Sequence, residues 1–140
     1  MKPRESLYKH TLYETILTSL LPALLLLPSC KKQYIVPNKT IIVELSSGSW
    51  IPLNNGKSYT AAISVPELDN YMNERGGVLV YVSFGDNTYE QIPQLYNGDA
   101  YSFVTRPGQI VLEAQRYDGI GLVFPPGNMT VKIVLIESDF

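Results

Sequence analysis

The sequence predicts an all-β fold: a single antiparallel β-sandwich of about seven strands, immunoglobulin-like or jelly-roll in outline, with one short crossover helix and an N-terminal signal segment in front. Three observations carry this. From residue 39 onward, short runs rich in β-branched and aromatic residues alternate apolar and polar side chains with period two. Glycine, proline, asparagine and aspartate cluster between the runs. Only one stretch, near residue 70, departs from that alternation.

The strands follow in order. "TIIVEL" places Ile41, Val43 and Leu45 on one face, and "SYTAAISV" does the same with Tyr59, Ala61, Ile63 and Val65. "VLVYVSF", Val78 to Phe84, is apolar on nearly both faces and predicts a central strand covered on each side. "TYEQIP" and "AYSFVT" flank Asn97-Gly98, a dipeptide suited to the positive φ angles of a hairpin turn. "QIVLEAQRY" sets Ile110, Leu112 and Ala114 against Glu113 and Gln115, and "MTVKIVLI" sets Met129, Val131, Ile133 and Leu135 against Thr130 and Lys132. Pro107-Gly108 fits a type II turn, and Asn55-Gly56, Asp86-Asn87 and Asp118-Gly119 mark further reversals. In "SVPELDNYMNERGG", Ser64 and Glu67 have capping-box spacing, Pro66 fits a first helical turn, and Leu68, Tyr71 and Met72 share a helical face. A helix over 66–75 that crosses from one sheet edge to another is predicted, with an ordered loop as the competing reading.

The domain is expected at 39–140, a tether at 30–38, and a signal peptide at 1–29. Basic residues Lys2, Arg4 and Lys9 precede an apolar segment from Ile16 to Leu27, which is the layout of a secretory leader. That segment is shorter than the roughly 20 residues a spanning helix needs. Leu27-Pro28-Ser29-Cys30 then resembles the lipobox of bacterial lipoproteins. The resemblance implies acylation of Cys30, the only cysteine, and its release as the new N-terminus. Two or three acyl chains anchor stably because each buried methylene contributes about 0.8 kcal/mol.

Removing the leader leaves 111 residues, one domain by size. It also removes His10, the only histidine, while Cys30 is spent on lipid. Ser-His-Asp and Cys-His constellations and His/Cys zinc sites then cannot be assembled, so no cofactor is expected. Three of the eleven basic and two of the thirteen acidic residues precede Cys30, so eight face eleven in the remainder. With no basic run beyond Lys31-Lys32, a nucleic-acid partner is not expected. No glycine-rich phosphate loop is present.

Residues 60–137 carry a further resemblance. "VPELDNYMNERGGVLVYVSF", "YEQIP" and the terminal "PPGNMTVKIVLIES" are similar to small lipoproteins and secreted proteins of the Bacteroidota, in which a helical crossover leads into one strand and another strand ends the chain. "SCKKQ" is similar to lipoproteins of that group. It lacks the acidic cluster that follows the lipid cysteine of surface-exposed members, which implies the periplasmic face of the outer membrane. The resemblance brings no catalytic or ligand-binding residue.

Three kinds of site remain to weigh. Tyr89, Tyr96 and Tyr101 gather around the Asn97-Gly98 turn, and with Trp50 they are candidate ligand-facing aromatics for stacking on sugar rings. The alternative is that tyrosine is simply a good strand residue and Trp50 a core plug. Carboxylates Glu90, Asp99, Glu113 and Asp118 are the material for glycosidase-type chemistry, set against plain solvation in turns. Asp86, Asn87, Asp99 and Asp118 offer oxygen ligands for calcium but no EF-hand spacing, and no metal is expected. The resulting expectation is a non-catalytic binding or assembly module, its partners membrane lipid through acylated Cys30 and another envelope protein or a glycan.

Overall fold

The computed structural model describes residues 37–138. The signal segment, Cys30 and most of the tether lie outside the described residues. Nine strands form two antiparallel sheets. The four-stranded sheet runs β1 (Lys39–Leu45), β9 (Met129–Ile136), β4 (Gly77–Ser83), β5 (Glu90–Ile92). The five-stranded sheet runs β2 (Ile51–Leu53), β3 (Ser58–Ser64), β8 (Gln109–Arg116), β7 (Asp99–Arg106), β6 (Gln94–Tyr96). A short α-helix, α1 (Asn70–Arg75), carries the chain from β3 in one sheet to β4 in the other.

The alternation in the sequence is what folds the two sheets together. On β9 the residues Met129, Val131, Ile133 and Leu135 are buried, as are Ile110, Leu112 and Ala114 on β8 and Val80 and Val82 on β4. These inner faces meet as one core, closed at one end by Trp50 and at the other by Leu68 and Met72. Pro107-Gly108 makes the β7–β8 turn with Gly108 at φ +81, and Asn97-Gly98 makes the β6–β7 turn with both residues at positive φ.

Nine strands stand where seven were expected. One addition is β2, a three-residue edge strand before the Asn55-Gly56 reversal. The other comes from the "YEQIPQLY" run, which splits at Pro93. Glu90–Ile92 pairs with β4 in one sheet, and Gln94–Tyr96 pairs with β7 in the other. Proline has no N–H for a ladder, so the run changes sheets there.

Two further expectations are corrected. The helix spans Asn70–Arg75 instead of 66–75, because the backbone of the preceding turn is spent elsewhere. Val65 N donates to Gly108 O at 2.8 Å and Gly108 N to Leu68 O at 2.6 Å, tying 65–68 to the β7–β8 turn. Asp69, not Ser64, caps the helix by accepting from Met72 N at 2.7 Å, while Glu67 pairs with Lys39 at 2.8 Å. Strand β4 lies inside its sheet but is not covered on both faces: Val80 and Val82 are fully buried, Leu79 and Tyr81 only half. Its outer apolar side chains sit beside Lys132, whose ammonium lies 4.5 Å from the Tyr81 ring centre.

Candidate functional site: an apolar loop at one pole

The long β8–β9 connection, residues 117–128, is shaped by a few anchors. Asp118 Oδ1 accepts from Ile120 N at 3.0 Å and from Gly121 N at 3.3 Å, and Gly119 N donates to Arg116 O at 2.9 Å. Arg116 reaches back to Asp99 at 3.1 Å, and its guanidinium lies close over Gly98. A side chain at Gly98 would meet that guanidinium 3.2 Å away and push it aside by a few tenths of an ångström, while the backbone at φ +83 itself favours glycine. Farther along, Val123 is buried and donates its N–H to Gly56 O at 3.0 Å. Asn128 Oδ1 accepts from Ser47 N at 2.8 Å.

With Val123 pinned inward, its neighbours are forced out. Leu122 is 69% exposed, Phe124 88% and Ile120 76%. Tyr117 at the start of the loop is also largely exposed. No charged residue occurs between Asp118 and Lys132. Large apolar side chains scattered singly are ordinary on a surface; here several fall within one anchored loop. The loop has neither the helical nor the strand period, so periodicity does not find it; its signal in the sequence is the charge-free string "GIGLVFPPGNMTV".

The loop's position in the fold is defined by β1. Leu45, at the end of β1, pairs with Met129, the first residue after the loop. Lys39, at the start of β1, pairs with Leu135 at the other pole, beside α1 and Glu67. The chain therefore enters the domain about 20 Å, one strand's length, from the apolar loop.

The aromatics expected to face a ligand do not form a common platform. Trp50 and Tyr101 belong to the core, 6% and 7% exposed, with their rings edge-on at 6.5 Å. They alternate inward because filling the sandwich end with large rings buries more area than leaving them wet. Tyr96 is half-buried, its ring stacked on Phe84 at 4.0 Å and 8°. Tyr89 is exposed, but Lys132 Nζ lies 4.1 Å from its ring centre and occupies one face. Burial, aided by Asp99 and Tyr96, pushes the Tyr101 hydroxyl up to about 12.

The acids are dispersed. Asp99 is bound to Arg116, Glu113 is exposed on β8 and Glu90 is half-buried on β5. Asp86 accepts from Thr88 N and Oγ1, which lowers its pKa, and Asn87 sits beside it at φ +60. Among the described residues no three His, Cys, Asp or Glu side chains come together to hold a metal ion. Two shallow concavities of about 160 Å³ are present, at Lys39/Glu67/Met72 and at Leu53/Ser58/Glu113. Each is about half the smallest volume typical of a ligand pocket, roughly 300 Å³.

The backbone N–H groups of Ile120 and Gly121 hold the Asp118 carboxyl below its ordinary 3.8. A carboxyl depressed in the folded state contributes stability that is fully present above the ordinary value and is lost as pH falls through the depressed one. The Ile120 and Gly121 amide shifts in an NMR titration should therefore be flat above about pH 5 and inflect below 3.8. An inflection at or above 3.8 would show that the carboxylate does not hold the loop.

No protein-family model, curated protein or solved structure matches the chain.

Proposed function

We propose that the chain is a lipid-anchored envelope protein, held to the outer membrane through Cys30, that acts by binding or assembly without catalysis. The observation that carries the binding reading is the anchored loop whose stretch after Asp118 is free of charge, with Ile120, Leu122 and Phe124 thrust into solvent. An apolar surface of this kind is stabilised by removal from water, at about 25 cal/mol per Å². The anchoring reading is supported by the leader and by Leu27-Pro28-Ser29-Cys30. Among the described residues no helix is long and apolar enough to cross a membrane.

The two halves of the proposal are tested separately. Cys30→Ala should move the protein from the membrane to the soluble fraction; unchanged fractionation overturns the anchor. A photo-crosslinking residue at Phe124 should give a discrete protein adduct in the native envelope. The same residue at Val104, exposed on the β7 face, should not. The pair Leu122→Asp and Phe124→Asp should abolish adducts to neighbouring loop positions while changing stability by no more than about 0.5 kcal/mol, as exposed substitutions do. Equal adducts at Phe124 and Val104 would refute the loop as a contact surface.

A further inference from the structure

The sandwich has four edge strands, and they are not alike. β2, β5 and β6 have three residues each, a length that offers little for another strand to pair with. β1 has seven, paired with β9 on one side along its whole length and with no other described strand. Its charges stand near the ends, at Lys39 and Glu44; Thr40 to Val43 carry none. It contains no proline.

The core is also less closed here than one strand inward. Val131 and Ile133 on β9 are fully buried, whereas their β1 partners Val43 and Ile41 are only half-buried. On the outer face Ile42 is 59% exposed. Its partner across the ladder is Lys132. That ammonium turns toward β4 and lies over the Tyr81 and Tyr89 rings. Among the described residues no strand pairs with this edge.

We propose that β1 is a pairing edge for the β1 strand of a second copy, giving a two-fold dimer with one continuous eight-stranded sheet. Antiparallel pairing about an axis normal to the sheet keeps inward residues opposite inward residues, so pairs must have the same parity. Centring it on Ile42 places Ile42 opposite its symmetry mate and Ile41 opposite Val43, which covers the half-buried positions. Thr40 comes opposite Glu44 and Lys39 opposite Leu45, so no like charges face each other. The Thr–Glu pair repeats chemistry already present one strand away, where Glu44 accepts from Thr130 Oγ1 at 2.9 and 3.0 Å. A carboxylate has acceptor capacity for both hydroxyls. A foreign peptide would also find main-chain partners on this edge, but the second copy is the occupant whose side chains match in this register. The inference does not depend on lipid anchoring or on the apolar loop.

The test uses the full chain carrying Ile42→Cys, purified from detergent-solubilised whole cells and mildly oxidised. Linked peptides are identified by mass spectrometry, so that any bond through Cys30 is told apart. Opposed Cα atoms in such a ladder are about 4.5–5.5 Å apart, within disulfide reach. The expected result is a dominant 42-to-42 link, with Leu95→Cys, equally exposed on the β6 edge, giving little. Ile42→Lys, which sets two ammonium groups face to face, should weaken self-association at least tenfold in sedimentation with an unchanged circular dichroism spectrum. A position-42 link no more frequent than at Leu95, association indifferent to Ile42→Lys, or capture of a different protein at position 42 would each overturn the proposal.

Discussion

Gly76→Ala is expected to destabilise the domain by about 3 kcal/mol, at the upper end of what overfilling a packed site costs. The reason is space, since Gly76 has ordinary negative φ of −81°. A methyl group there would overlap Met72 Sδ and come to 2.7 Å from Met72 O and 3.0 Å from Ile136 O. The thioether can swing away; the two carbonyls cannot, because Gly76 N–H closes α1 on Met72 O at 2.9 Å and Ile136 is the ladder partner of Gly77. Relief would have to separate the helix end from the start of β4. The measurement is the midpoint of urea unfolding, with Gly127→Ala as the control, since a side chain at Gly127 meets nothing within 4 Å. Equal midpoints for the two variants would show that the helix–strand junction yields freely.

The second large effect is expected at Leu68→Ala, about 3–4 kcal/mol from lost burial plus the cavity left behind. Leu68 is fully buried although it lies in a turn between β3 and α1. Its backbone is held on both sides, N–H to Val65 O at 2.9 Å and C=O accepting from Gly108 N at 2.6 Å, so the surroundings cannot collapse into the gap. In thermal unfolding a loss of this size corresponds to roughly 12–30 °C for a domain of about 100 residues. Leu95→Ala, 65% exposed, should change stability by less than about 0.5 kcal/mol. A Leu68→Ala midpoint close to that of Leu95→Ala would remove Leu68 from the core.

The two poles of the domain divide the work that the proposals assign. The pole at Lys39 receives the chain from Cys30, and the opposite pole carries Ile120, Leu122 and Phe124. The β1 edge runs between the poles.

The parts of this protein legible in the sequence are those governed by local repetition. Alternation placed Ile110, Leu112 and Ala114 inward on β8 and Met129 to Leu135 inward on β9, because period two is a property of the extended chain itself. Asn97-Gly98 and Pro107-Gly108 were readable as turns because a positive φ is a demand on single residues. What only the tertiary structure decided depends on partners distant in the chain. Pro93 separates two sheets, Asp69 displaces Ser64 as the cap because Gly108 claims the intervening backbone, and Trp50 and Tyr101 turn inward to fill the sandwich end. The exposed loop and the outer edge of β1, which no described strand pairs, are of the same kind, since exposure is defined by what packs on a residue, and packing is a relation among segments that no local pattern contains.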